Sequence, residues 1–255
     1  MNADETAQRM DRFFSVYLGS DLSQLSRDQI RVVGSERRYR PEVGYGFTHV
    51  LWLLVTDDRC LISTQHEIAQ PMVKLVESIH HLSELCSRQF DADILRICLN
   101  ALPDAQLSIG AGPKYICCDE DFKPGTDTNV HLITEDALEK VIATLGDAGL
   151  ALPYTIQEKT TFVYELDGQP VACCGTLPIG HMEDKIGDVG SVFTLPTMRN
   201  RGFAQAVVAA TTQAVLRSGR VPTYSTWDAN IASQRTAMSV GYKKYGWALC
   251  VKCRV

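Results

Sequence analysis

The stretch VFTLPTMRNRGFAQAVVAATTQAVLRSG, Val192 to Gly219, decides how the second half of this chain folds. It opens with β-favouring residues, passes through a loop holding two arginines and a glycine, and continues as a long alanine-rich run that stops at Gly219. That order reads as strand, loop and helix. The first turn of such a helix leaves backbone N–H groups without helical partners and carries the positive end of the helix dipole, so it attracts an anion. Gly202 lets the backbone come close to a ligand, Ala204 keeps the next turn small, and Arg199 and Arg201 add rigidly placed charge. The segment Arg199, Asn200, Arg201, Gly202, Phe203 and Ala204 therefore reads as a pyrophosphate cradle. It is neither GxGxxG nor GxxxxGK, because the further glycines and the Lys-Ser/Thr pair are absent.

Working outward, NVHLI is a strand, and TEDALEKVIATLGDAG is a helix capped by Thr134 and closed near Gly146. TTFVYELDGQPVACCGTLP follows as a hairpin turning at Asp167-Gly168, and IGDVGSVFT as the strand that leads into the loop. After the long helix come a strand, PTYSTWD, a short helix, NIASQRTAMSVG, and a closing strand, WALCVKCRV. The pattern is α+β, with one strand-helix-strand crossover expected to be parallel and right-handed.

Upstream, ETAQRMDRFFSVYLGS places Met10, Phe13, Phe14 and Tyr17 at helical spacing. THVLWLLVTDDRCLIST gives two apolar runs around Asp57-Asp58, as in a hairpin, and PMVKLVESIHHLSELCSRQF returns to helical period. DADILRICLNAL reads as a helix ending near Pro103, and AQLSIGAG and KYICCDE read as short strands. The polar stretch DEDFKPGTDT marks a boundary, giving an N-terminal α+β domain over 1–125 and a second domain over 126–255.

A chain of 255 residues suits two modest domains. Its 25 basic and 30 acidic residues give net charge −5, so no global basic field favours nucleic acid or an anionic membrane, and a small-molecule partner is expected. No apolar run reaches the roughly 20 residues of a membrane span, and the first residues lack signal-peptide order, so the expectation is a cytoplasmic protein. The nine cysteines are an odd count in strand-like surroundings, which reads as reduced, mostly buried thiols. Cys250 and Cys253 have CxxC spacing, but on a strand they point to opposite faces, so no metal site is expected.

Arg199-x-x-Gly202-x-Ala204, placed between a strand and a helix, resembles the acetyl-CoA signature Q/R-x-x-G-x-G/A of the GNAT superfamily of N-acetyltransferases. Asn230-x-x-Ser233, with Gly241-Tyr242 closing that helix, resembles the family's later segment, in which a helix-start Asn contacts the pantetheine arm. The T-x-x-x-x-R-N-R-G preface from Thr194 and the W-x-x-N-x-x-S spacing from Trp227 are most similar to a bacterial subgroup with a separate N-terminal domain. The resemblance covers roughly Asn129 to Val255. Residue by residue the same segments have plainer readings: a tight turn at Gly202, a solvated face at the arginines, an ordinary N-cap at Asn230.

The resemblance implies a GNAT acyltransferase fold with a mixed central sheet, and acetyl-CoA, or a longer acyl-CoA, as acyl donor. It also implies direct transfer to an amine, without a covalent acyl-enzyme. Two strands splay, and backbone groups of Val192, Phe193 and Thr194 take the pantetheine amides while one N–H faces the thioester oxygen. An alkylamine is mostly protonated at pH 7, so a base is needed. Asp188 falls where some family members carry a glutamate base, and at period 2 it shares a face with Val192 and Thr194. The alternative for it is a solvated strand-end aspartate, with Glu183 and His181 as substitutes. The family's tyrosine acid corresponds to Ala237 here, leaving Tyr224, Ser233 or solvent to supply a proton. Cys173-Cys174 reads as core rather than as a nucleophile.

The N-terminal domain is expected to cover the acceptor site, to make a dimer interface, or to be a worn second copy of the fold. It is expected to have no cofactor site of its own, because no cradle glycine precedes its helix. A non-catalytic acetyl-CoA sensor and a protein lysine or N-terminal acetyltransferase stand beside the small-molecule enzyme as alternatives.

Overall fold

A computed structural model describes residues 1–43, 45–125, 127–146, 156 and 159–254. In chain order the helices are α1 (Ala3–Leu18), α2 (His66–Val76), α3 (Arg88–Ala101), α4 (Glu135–Leu145), α5 (Phe203–Arg217) and α6 (Ile231–Val240). The strands are β1 (Gln29–Gly34), β2 (Phe47–Val55), β3 (Arg59–Thr64), β4 (Leu107–Ile116), β5 (Val130–Leu132), β6 (Phe162–Leu166), β7 (Gln169–Leu177), β8 (Ile186–Thr194), β9 (Val221–Ser225) and β10 (Lys243–Arg254).

The chain divides into two compact units. One, here the N-terminal unit, is Ala7–Lys114 with Trp227–Ala229 and Lys244–Val255; the other, the C-terminal unit, is Met1–Thr6 with Tyr115–Thr226 and Asn230–Lys243. A single boundary between 125 and 126 does not describe this division. The last strand belongs with the N-terminal strands, because β10 pairs antiparallel with β2 from Trp247↔Val55 to Arg254↔Phe47. Thr126 itself lies outside the described residues.

In the N-terminal unit the strand order is β1-β3-β2-β10-β4. One sheet face buries Leu51, Leu53, Val55, Leu249 and Val251 against Ile68 and Met72 of α2 and Phe90 and Ile94 of α3. Met10, Phe13, Phe14 and Tyr17, spaced along one face of α1, are all buried, as the helical period requires. The β2–β3 hairpin forms around Asp57-Asp58 as its apolar runs indicate. Two features differ from the sequence reading. The segments taken as two short strands before Cys117 are one strand, β4, which runs through Gly110 and Gly112-Pro113. β1, which the sequence reading did not assign, alternates Gln29, Ile30, Arg31 and Val32, packs Ile30 and Val32 against the α2–α3 core, and pairs parallel with β3.

In the C-terminal unit the order is β9-β8-β7-β6-β5. β8 and β9 are parallel, joined by α5, and the remaining neighbours are antiparallel, so the sheet is mixed. The β6–β7 turn has left-handed φ at both Asp167 and Gly168, which suits a tight hairpin. Val207, Val208 and Val215 of α5 pack on Ala172, Cys174, Val189 and Tyr224, while Val141 and Leu145 of α4 pack on Val163 and Cys173 on the other face.

Candidate functional site

The register between β8 and β9 runs Ile186↔Val221, Gly187↔Pro222, Asp188↔Thr223 and Val189↔Tyr224, and stops there. The stretch from Gly190 to Thr194 continues along β7 alone, from Gly175↔Gly190 to Cys173↔Phe193 and Ala172↔Thr194. Between those pairs β8 contains one residue more than β7, a β-bulge, with Ser191 at φ 50°. The bulge turns the strand away from β9 and leaves its β9-facing backbone groups over Gly190–Thr194 outside the register. Val192, Phe193 and Thr194, the expected binding stretch, lie there.

The bulge also changes which side chains share a face. Residues opposite one another in a ladder point the same way, and β7 is regular here. Asp188 and Phe193 therefore lie on the face of Leu177 and Cys173, and Val189 and Thr194 on the face of Thr176 and Ala172. The expectation that Asp188 shares a face with Thr194 is corrected, because the extra residue at Ser191 breaks the period of two. Asp188 stands on the face opposite α5.

Pro196–Met198 forms a single 3₁₀ turn after β8, and the chain then enters α5 through Asn200 at φ 62° and Gly202 at φ 85°. The first helical bond runs from the Ala206 N–H to the Gly202 carbonyl at 3.0 Å, and Gly202 offers no side-chain cap. The N–H groups of Phe203, Ala204 and Gln205 thus precede the first helical hydrogen bond, the arrangement that receives an anion. A Cβ built on Gly202 meets no protein atom within 4 Å, so the space in front of this turn is open. Arg199, Asn200 and Arg201 are exposed around it. Arg199 Nε donates to the Thr194 carbonyl at 3.4 Å, and the Arg201 guanidinium lies 5.0 Å over the Phe203 ring. Both arginines are tethered beside the turn at which they were expected.

Thr223 donates its hydroxyl to Asp188 Oδ1 at 2.8 Å, and Asp188 is half-buried. Tyr224, at the last pair before the strands part, is buried and shares a 2.8 Å hydrogen bond with Ser233 Oγ. Burial pushes its phenol well above the ordinary value near 10, so the group stays protonated. Asn230 caps α6, its Oδ1 accepting the Ser233 N–H at 3.2 Å, and the cap uses only the carbonyl end of the amide. Ala237 is fully buried against the same core as Tyr224 and Tyr242, and α6 has no tyrosine. The substitute groups are engaged in their own loop: Glu183 accepts the Gly180 N–H, and the His181 ring meets the Ile179 carbonyl.

Sequence reasoning missed two residues. Ser191 forms the bulge, and no residue type around it announces one. Thr223 orients Asp188, and only strand register brings the two together. Cys173 and Cys174 are buried; burial pushes the Cys173 thiol up to about 12 and Cys174 higher still, so neither is a ready nucleophile. β10 sets Cys250 opposite Trp52, and Cys253 packs in the core on the other face with Leu249 and Val251.

Residues 175–253 match the family model described as FR47-like protein. Among solved structures, an acetyltransferase from the GNAT family from Colwellia psychrerythraea is 14% identical and has a TM-score of 0.52, with 99% of this chain and 97% of that chain covered. The GCN5-related N-acetyltransferase-like protein from Streptococcus suis is 14% identical with a TM-score of 0.47, covering 99% of this chain and 100% of that one. A GCN5-related N-acetyltransferase from Kribbella flavida is 19% identical with a TM-score of 0.46, covering 63% of each chain. No curated protein sequence matches the chain significantly. No described helix is long and apolar enough to cross a membrane.

Proposed function

We propose that this chain, which has the fold of the GNAT acetyltransferases, transfers an acetyl group from acetyl-CoA to the amine of a small molecule. The observation that carries the reading is the bulge at Ser191. It parts β8 from β9 after Val189 and leads, twelve residues on at Phe203, into the uncapped first turn of α5.

The donor fits the residues present. An anion suits the open space before Gly202, where the N–H groups of Phe203, Ala204 and Gln205 converge with Arg199 and Arg201. The backbone of Val192, Phe193 and Thr194 suits an extended amide chain, which it would take as an added strand. The amide of Asn230 has its NH2 end left over from capping. Acetyl-CoA, when bound, supplies the activated acetyl group.

Asp188 takes the proton from the acceptor ammonium, which must be neutral to attack. The Thr223 hydroxyl keeps the carboxylate oriented and favours its ionised form. The Tyr224–Ser233 hydroxyl pair, at the apex where the strands part, would offer a hydrogen bond to the departing thiolate, whose pKa near the cysteine value of about 8.5 lets it take its proton from solvent. Because burial holds the Tyr224 phenol protonated, it is a hydrogen-bond donor at neutral pH rather than a base.

A second reading, a non-catalytic acetyl-CoA-binding module, draws on the engagement of Asp188 by Thr223 and the burial of Tyr224. One experiment separates the two: release of free thiol from acetyl-CoA across a panel of small amines, with acetylated products identified by mass. Turnover of one or more amines supports the enzyme. Saturable acetyl-CoA binding with no turnover on the whole panel supports the module, and absence of binding removes both.

A further inference from the structure

The N-terminal unit holds a second group of side chains that the acetyl-transfer reading does not use. It lies on the face of β2 and β10 opposite the α2–α3 core, where Phe47, His49 and Trp52 of β2 stand across from Arg254, Lys252 and Cys250 of β10. Lys252 Nζ sits 4.7 Å over the Phe47 ring and 4.8 Å over the ring of Trp227, which is about half exposed. Lys114 Nζ lies 4.9 Å over the Trp52 ring. Beneath them, the Arg38 guanidinium is fully buried 4.4 Å over the Tyr17 ring, with Nη2 donating to the Tyr17 carbonyl and with Nε and Nη1 lacking any hydrogen-bond partner.

The charge of this group is lopsided. Among the described residues, Arg37, Arg38 and Lys252 lie around Glu42, which is bound by Arg37 at 2.7 Å and by the Tyr17 hydroxyl at 2.9 Å. His49, 3.0 Å from Glu42, is kept neutral, since burial, with Arg38 and Lys252 nearby, holds its ring down at about 4. Cys250 is buried within reach of the same Lys252, Lys114, Glu42 and Arg38. A chain of net charge −5 thus concentrates positive charge on one half-buried, aromatic-lined patch. A buried guanidinium cannot shed its proton, so Arg38 keeps a positive charge beneath the patch whose field favours an anion. An ammonium held between two rings is already ordered, which lowers the entropy lost when it pairs.

We propose that this face of the N-terminal unit binds the carboxylate or phosphate group of a small planar organic anion, with Lys252 as the pairing cation and Phe47 and Trp227 flanking it. Lys114 and Arg38 supply the surrounding field, and the exposed part of the Trp227 ring receives the planar portion of the ligand. The proposal does not rest on the acetyl-transfer reading.

The test is calorimetric titration of the full chain, without acetyl-CoA, with benzoate, phenyl phosphate and benzyl alcohol. Saturable binding of benzoate or phenyl phosphate is expected, with benzyl alcohol much weaker, and the stronger of the two anions identifies the group. Lys252→Gln should weaken that binding roughly tenfold or more, while Lys252→Arg, which keeps the charge, should stay within about threefold. Trp227→Ala, which truncates an exposed ring, serves as an independent variant if Lys252→Gln fails to fold, and should weaken binding several-fold. The proposal is overturned if neither anion binds saturably, if benzyl alcohol binds as well as they do, or if the folded variants bind like the wild type.

Discussion

Val189 and Tyr224 are the last register pair between β8 and β9, and two residues beyond Val189 the β8 backbone turns left-handed at Ser191. The strand pairing and its interruption are adjacent, so the opening between the strands is built into β8 itself. Each element of the proposed site takes its position from this point: the binding stretch beyond it, Asp188 before it on the opposite face from α5, and the Tyr224–Ser233 pair at its apex.

Gly202 is favoured by its φ of 85°, and the space in front of it is open. Gly202→Ala should cost about 1–2 kcal/mol from the left-handed backbone alone. In the wild type, acetyl-CoA at 100 times its dissociation constant should add about 2.7 kcal/mol of stability, read as a raised melting temperature. Gly202→Val should fold with lowered stability and lose that ligand-dependent rise. A folded Gly202→Val chain that retains the full rise would overturn the cradle assignment.

Asp188→Asn keeps the size of the side chain and removes the base, so turnover on a verified amine should fall roughly 100-fold to 10,000-fold. The loss should shrink as pH approaches the amine's own pKa, because more acceptor then arrives neutral. Thr223→Val removes the hydroxyl 2.8 Å from Asp188 and should raise the apparent pKa of the basic limb while lowering turnover less than Asp188→Asn does. Acetyl-CoA affinity should be unchanged in both variants. Near-normal turnover of Asp188→Asn at pH 7 would reduce Asp188 to a structural residue.

Ser191 at φ 50° sits where glycine is comfortable and β-branched residues are not. Ser191→Gly should leave stability within about 1 kcal/mol of the wild type, whereas Ser191→Val should lower it by roughly 1–2 kcal/mol, measured by denaturant unfolding. Acetyl-CoA binding should survive Ser191→Gly. Equal stability of the glycine and valine variants would mean the bulge is not held at this residue.

His49 gives the chain an acid-sensitive step. Its folded value of about 4 lies below the ordinary 6.5, chiefly through burial, so on acidification the unfolded chain binds a proton first. Stability is therefore present above pH 6.5 and is lost as pH falls toward 4, by an amount on the order of 3 kcal/mol for this group. Glu42 pulls the ring the other way without reversing the direction. Urea unfolding at pH 7 and pH 4.5 should show the loss, and His49→Gln should make that part of the curve nearly flat. An equally steep curve in the variant would place the acid sensitivity elsewhere.

The sequence by itself determined the local grammar. The hairpin at Asp167-Gly168, the amphipathic α1, and the passage from β8 through Arg199 and Gly202 into α5 depend on residues near one another in the chain, where turn chemistry and periodicity are legible. The position of the left-handed Gly202 before α5, where the cradle is proposed, and that of the Asn230 cap could be read for the same reason. Only the tertiary structure decided which strands are neighbours and where pairing stops. β10 joins β2 across nearly two hundred residues of sequence, and the pairing that joins them is backbone hydrogen bonding, which every residue type but proline can make, so no residue names its partner. The bulge at Ser191 is likewise a mismatch between two strands rather than a property of either one. It left Asp188 on the face opposite Thr194, because a one-residue offset in register reverses every side chain beyond it, while the regular β8–β9 register before the bulge set Thr223 beside Asp188.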